Sequence, residues 1–370
     1  MDKEYISGRQ AMWLMVTTVI GTGILFLPGL AAAQAGKDAW IAPVLSTFTG
    51  IFIVYISYKL AARFPRNSII EYLPSVVGKV LGKIIGFLYL LFFIYLTGLV
   101  LRESVVFVVA AVLNRTPQVI ITVMIMLVAV IAARLGIEVI SRVNDWAFLI
   151  MTLSVTIIIL LVLKDGDINN ITPIFDNGIV PILKGTITST SFRGEIALFL
   201  LMLAPTINKP KETGKRSIQA VIIVGIILML TTLANVFVFD HTEVARFNFP
   251  TFELAKIISI ANFLERLDPI VLVVWITGTV VKIAILHYAS TLSFAQIFNL
   301  KNYRPLVLPL GVIITLLSII DFESIIQLRN FIATTWPFLG LTFEVAIPIF
   351  ILLIAIIRKK GKKIKEGTND

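Results

Sequence analysis

The chain is expected to be an all-α polytopic membrane protein of about ten transmembrane helices, arranged as two inverted halves of five. Three observations carry this expectation. Hydrophobic residues make up 58% of the 370 and arrive in long blocks of ~20 or more, the length that crosses a ~30 Å hydrocarbon core. Charged residues are only 15%, against roughly 25% in soluble domains, and mean hydropathy is +0.95. Lastly, the two blocks most disturbed by glycine and charge are the first and the sixth, which are equivalent positions in a chain of five plus five.

Spans are expected at 9–34, 39–62, 84–112, 118–135, 144–163, 184–207, 217–239, 267–298, 305–320 and 333–357. Each must be helical, because lipid offers no partner to an open backbone. The whole chain, 1–370, reads as one membrane domain: a first repeat over 1–163, a second over 164–357 and a basic tail over 358–370. No cleavable signal segment is visible, since the first apolar block runs on into further spans. Between spans, 240–266 mixes charge with Phe247, Phe249, Phe252 and Leu254, which suits a short amphipathic surface helix, and 321–332 reads the same way.

The formal charge of +10 does not point to nucleic acid, because the basic residues sit between apolar blocks and in the tail. Twenty-one fall in the segments on one side and eight on the other, with Arg102, Arg193 and Lys282 inside spans. That asymmetry predicts that both termini are cytoplasmic. The tail Arg358-Lys359-Lys360-Gly361-Lys362-Lys363 suits anionic lipid, or more simply fixes the last helix end. Cysteine is absent, which excludes disulfides and thiolate metal sites.

In the first span the run Val19-Ile20-Gly21-Thr22-Gly23-Ile24, followed by Pro28, weakens a helix at mid-membrane. A break there would expose peptide dipoles that can hold a carboxylate or cation. The competing reading is close helix packing through small residues. The sixth span carries Thr188, Ser189, Thr190 and Ser191, then Phe192, Arg193, Gly194 and Glu195. Intramembrane charges cost at least ~2.5 kcal/mol each, so these face a cavity or a partner, or else Arg193 and Glu195 pair locally. Gly21, Thr22, Gly23, Ile24, Ser191, Phe192, Arg193, Gly194 and Glu195 are therefore the candidate ligand-binding residues.

Lys282, midway along the eighth span, is too deep to reach water easily and calls for a carboxylate or carbonyl partner, Glu195 being one candidate. Glu103 and Glu344 join it as candidate buried or coupling charges. Arg102 and Glu103 are neighbours ~100° apart on a helix, so they serve different contacts. His287, Ser290, Thr291 and Ser293 read first as packing residues, and Trp146 and Trp336 as interfacial anchors. Asp165-x-Asp167-x-Asn169 mimics a calcium loop, but Asn170 stands where the turn glycine belongs and the closing Glu is missing. No P-loop, nucleophile triad, zinc motif or haem motif is present, so no enzyme, metal or cofactor is expected.

Several motifs together resemble a known family. They are Ile6-Ser7-Gly8-Arg9-Gln10, Ile20-Gly21-Thr22-Gly23-Ile24-Leu25-Phe26-Leu27-Pro28, Asp38-Ala39-Trp40-Ile41, Arg63-Phe64-Pro65, Leu101-Arg102-Glu103, Thr172-Pro173-Ile174-Phe175 and Pro205-x-Ile207-Asn208-Lys209-Pro210. In order and spacing they resemble the B subunits of spore germinant receptors, the spore permease family of the amino acid–polyamine–organocation superfamily. The resemblance implies a LeuT-like fold and a role in sensing nutrients at the spore inner membrane. It also implies an A subunit and a lipoprotein C subunit as partners. In the superfamily a first-helix Gly-x-Gly-Ile segment receives an amino acid carboxylate, which Gly21-Thr22-Gly23-Ile24 matches. A sixth-helix Phe-x-Gly-x-Glu-like segment completes that site; Phe192-Arg193-Gly194-Glu195 differs in that Glu195 directly follows Gly194.

Overall fold

The computed structural model describes residues 4–260, 264–265 and 268–361. Lys362 and Lys363 of the basic tail, and Arg266 of the outer segment, lie outside the described residues. Helices dominate in chain order: α1 (Gly8–Ala35), α2 (Ile41–Ala61), α3 (Ile69–Val77), α4 (Lys79–Ala111), α5 (Gln118–Leu135), α6 (Ile137–Val162), α7 (Ile179–Arg193) and α8 (Glu195–Leu203). After them come α9 (Pro210–Phe239), α10 (His241–Arg246), α11 (Pro250–Ile257), α12 (Asp268–Ile297), α13 (Arg304–Ile320), α14 (Ile325–Thr334), α15 (Trp336–Leu341) and α16 (Ile347–Ile357). A π-helical turn, Thr342–Ala346, joins the last two. Two-residue strands, Ser259–Ile260 and Leu264–Glu265, pair antiparallel in the segment outside the spans.

Among the described residues, eight helical stretches are long and apolar enough to cross a membrane, and α13 with α14 makes a ninth, bent by 103°. The first stretch, Gly8–Ala61, holds 54 residues, which is ~80 Å at 1.5 Å per residue. That is more than twice a ~30 Å core. It divides at Gly36, whose φ of +61° ends α1, and so supplies two passes. The ten expected passes follow. The expected amphipathic outer segments become α10, α11 and α14.

α1 is buried continuously from Leu14 to Ala32, as a helix apolar all round must be. It packs against α6, α7, α9, α10 and α12. α8 is equally enclosed, with every residue from Glu195 to Leu203 buried. The outer helices instead present large apolar side chains outward: Met124 and Ile131 on α5, Leu160 on α6, Leu316 on α13 and Leu353 on α16. That exposed belt is the surface a bilayer would cover.

The expected break in the first span is absent: α1 runs as one helix through Gly21, Thr22, Gly23 and Pro28. Proline lacks the N–H that would serve the carbonyl four residues back, which is that of Ile24. The Thr251 hydroxyl donates to that carbonyl at 2.7 Å. Thr279 Oγ1 donates to the Gly21 carbonyl at 2.8 Å. Neighbouring hydroxyls thus supply the polar contacts that a weakened helix needs in lipid. Gly21 and Gly23 act as close-packing positions: a Cβ at Gly21 would lie 3.3 Å from the Gly278 carbonyl oxygen, and one at Gly23 3.5 Å from Phe192. The sixth span likewise runs as one helical stretch, Ile179–Thr206, with no more than a tightened turn at Gly194, whose own φ and ψ are helical.

α3 lies where a plain loop was expected. Ser68 caps it, and Glu71 reaches back to the Ser68 amide at 2.9 Å, a reciprocal capping box. Its apolar side covers α4 so closely that a Cβ at Gly82 would meet the Pro74 backbone at 2.6 Å.

Candidate functional site

The buried charges flagged on separate spans converge. Lys282 Nζ donates to Thr22 Oγ1 at 2.7 Å and to Glu195 Oε1 at 2.9 Å, with Glu195 Oε2 at 2.8 Å. Both side chains of this ion pair are almost wholly buried. The Glu103 carboxylate lies beside the Thr22 hydroxyl, within electrostatic reach of Lys282 and Glu195. Glu344, in the π-helical turn, is within electrostatic reach of Glu195 and Lys282. α1, α4, α8, α12 and the π turn therefore each send one polar side chain to a common centre. Three carboxylates surround one ammonium there.

Each element places its residue for a local reason. Glu195 is the first residue of α8 because the α7 helix ends at Gly194. A side chain at Gly194 would collide with Glu344 Oε2, so glycine is required where the two segments approach. The π turn rotates Glu344 inward, and Tyr89 on α4 donates to the Phe343 carbonyl at 2.7 Å. Such single-turn π insertions recur at functional sites.

Arg193 does not pair with Glu195. Its guanidinium turns to α2, donating to Ser46 Oγ, to the Pro43 carbonyl at 3.0 Å and to the Ser189 carbonyl at 3.1 Å. Glu195 follows at the next position, ~100° round the helix, and its charge is met by Lys282. Phe192 packs against Gly23, and Ser191 Oγ donates to the Thr188 carbonyl at 2.8 Å. Arg102 binds Gln118 Oε1 at 2.7 Å and the Phe322 carbonyl, apart from its neighbour Glu103. His287 lies 2.9 Å from the Val307 carbonyl, and Ser290 and Thr291 donate to carbonyls of their own helix, as packing residues do. Trp336 is not at the interface: it is 2% exposed and stacks on Phe92, whereas Trp146 is 67% exposed. Asp167 caps a short turn through the Asn169 amide rather than joining a calcium loop.

Two pairs of the sequence motifs meet at opposite ends of the molecule. The Asp38 carboxylate accepts from the Phe175 amide at 2.9 Å, joining the α1–α2 turn to the 163–178 segment. Ile6 pairs in parallel with Ile207: the Ile6 amide donates to the Thr206 carbonyl at 2.9 Å and Asn208 to that of Ile6 at 3.0 Å. A cavity of about 770 Å³ opens on this second face, lined by Glu4, Arg66, Met202, Tyr288, Leu292 and Lys301 among others. These linking contacts were not legible from the sequence, because the partners lie ~140–200 residues apart.

A helical membrane bundle with polar residues of five elements meeting at its centre has the form of a LeuT-like permease, and the solved structures it matches have that fold. Mhp1, a nucleobase–cation symport-1 family transporter in a closed conformation with bromovinylhydantoin bound, superposes with a TM-score of 0.69 at 11% identity, over 97% of this chain and 80% of that one. MhsT in complex with L-phenylalanine gives 0.63 at 15%, over 96% and 99%. The chain belongs to the spore germination protein (spore permease) family, whose model matches residues 5–326. Spore germination protein KB of Bacillus subtilis (strain 168) is 31% identical over 99% of both chains. Spore germination protein YndE of the same organism is 26% identical over 97% of this chain and 98% of the other.

Proposed function

We propose that the protein is the permease-like, nutrient-sensing subunit of a spore germinant receptor and binds an amino acid or similar small nutrient near mid-membrane. The observation that carries this is the Thr22–Lys282–Glu195 link, where an ammonium on α12 holds α1 to the head of α8. The nutrient lies between Gly21–Ile24 on α1 and Ser191–Glu195 at the α7–α8 junction. Its charged ends compete for the groups that make the link. A ligand with unequal affinity for the linked and unlinked arrangements shifts their balance, and that shift is what A and C partner subunits would read. The repeats 1–163 and 164–357 are the moving halves, with both termini on the cytoplasmic side of the spore inner membrane or cell membrane.

The test is a thermal-shift screen of amino acids against the purified full-length chain. A ligand at a hundred times its Kd stabilises by about 2.7 kcal/mol. Gly21→Leu and Gly23→Leu should remove that stabilisation while expression persists; unchanged binding in both would refute the site. The cavity beneath the centre favours one second reading, an autonomous proton-coupled transporter of an amino acid or organic cation. Uptake by the chain alone in proteoliposomes would establish it, and its absence would leave the receptor reading standing.

A further inference from the structure

Among the described residues, Glu344 is the one carboxylate of the buried centre with both oxygens unpartnered; Glu103 keeps one such oxygen, Oε2. Lys282 is met by Thr22 and Glu195. Arg193 is served by α2. Glu344 is 1% exposed, yet neither carboxylate oxygen has a hydrogen-bond partner among the described residues. The Tyr89 hydroxyl beside it is committed to the Phe343 carbonyl. Lys282, the one cation in electrostatic reach, is committed to Glu195. Oε2 rests against Gly194, at the α7–α8 junction, and a Cβ at Gly340 would lie 3.5 Å from the same oxygen. Two glycines thus keep that oxygen free of neighbouring side chains.

We infer that Glu344 is the anionic seat for the ammonium group of the bound nutrient. A dehydrated carboxylate with both oxygens unpartnered is costly, and a cation that supplies hydrogen-bond donors removes that cost. An ammonium brings three donors, enough for both oxygens. The π turn carries the carboxylate on the tenth pass while Gly194 lies between α7 and α8, so an ammonium seated there adds a polar link between two packed elements. The inference rests on the reading of the protein as a nutrient binder and names which residue reads the amine. It also selects the ligand class: molecules with a primary amine, rather than carboxylates alone.

The experiment uses the full-length chain in lipid nanodiscs, with the twenty standard L-amino acids as probes. Each is set against its desamino acid, such as propionate for alanine. At least one amino acid should stabilise the wild type. Glu344→Gln should weaken that amino acid roughly tenfold or more, the worth of a hydrogen bond to a charged group, and leave the desamino acid unchanged. Glu344→Asp, which keeps the charge on a shorter arm, should fall between the two and serves as the readout where the glutamine variant does not fold. Equal amino acid affinity in wild type and both variants would overturn the assignment of Glu344 and leave the nutrient-binding reading intact. If no amino acid stabilises the wild type, that underlying reading fails instead.

Discussion

Lys282 and Glu195 hold each other in a place remote from bulk solvent, so removing one leaves the other as an uncompensated buried charge. The cost of such a change is about 3–5 kcal/mol, whereas replacing both partners is far milder. Lys282→Met should therefore lower unfolding stability by about that amount, and Lys282→Met combined with Glu195→Gln should recover most of it. Equal losses in the single and double variants, measured by denaturant unfolding in detergent, would show that the pair carries no net coupling. A second residue, outside the spans, carries a pH signature. Asp240 caps α10, and although burial alone pushes its carboxyl up, hydrogen bonds from Thr242 and His241 bring it down to about 2 from the ordinary 3.8. Because the folded value is the lower one, the stabilisation is complete above pH 3.8 and lost as pH falls towards 2. Amide exchange in α10 should rise over that window in the wild type, while Asp240→Asn should show fast exchange at both ends.

Helix α1 shows at the scale of an element what its sequence could and could not reveal. Glycines and a proline at mid-span predict a break, yet the helix is continuous there, and Thr22 within the stretch is where Lys282 and Glu195 of other spans meet it. The inference of a break went further than the local chemistry allows. The groups that keep the helix whole are Thr251 and Thr279, 227 and 258 residues away from the carbonyls they serve. No local pattern reports a partner at that distance. By contrast the pattern that caps α3, Ser68-x-x-Glu71, is local, and it passes unread in a scan for apolar spans. Thr251→Val removes the donor to the Ile24 carbonyl and should cost about 1–3 kcal/mol, the penalty of an orphaned buried acceptor. Pro28→Ala restores the main-chain donor, so in that background Thr251→Val should become nearly neutral. Additive losses in the four-way comparison of unfolding stabilities would mean that the threonine acts through packing alone.

For the molecule as a whole, the spans were readable because lipid forces long apolar helices, and ends agree within a few residues for most passes. Which spans touch was not readable, since every pass carries much the same apolar surface. The N-terminal segment is the clearest case. Nothing in Glu4-Tyr5-Ile6 suggests a structural hub, yet the Glu4 carboxylate accepts from the Ile137 amide at 2.8 Å, lies 3.3 Å from the Tyr303 hydroxyl and 3.5 Å from Arg304. The Tyr5 amide donates to Glu138 at 3.0 Å, and Ile6 pairs with Ile207. These three residues thus fasten the loops before α6, α9 and α13 to one another, beside the 770 Å³ cavity that Glu4 and Tyr5 line. Loosening that fastening should open the cavity to the N-terminal face. The chain lacks cysteine, so a single one placed at Leu292, on the cavity wall, reports access without background. With Leu292→Cys, a membrane-impermeant thiol reagent should react from the N-terminal face and not from the other. Adding Glu4→Ala should raise that rate several-fold, because the carboxylate's contacts with both Ile137 and Tyr303 are lost together. Reaction from the opposite face, or a rate indifferent to Glu4, would place the entrance of the cavity elsewhere and remove the N-terminal segment from its control.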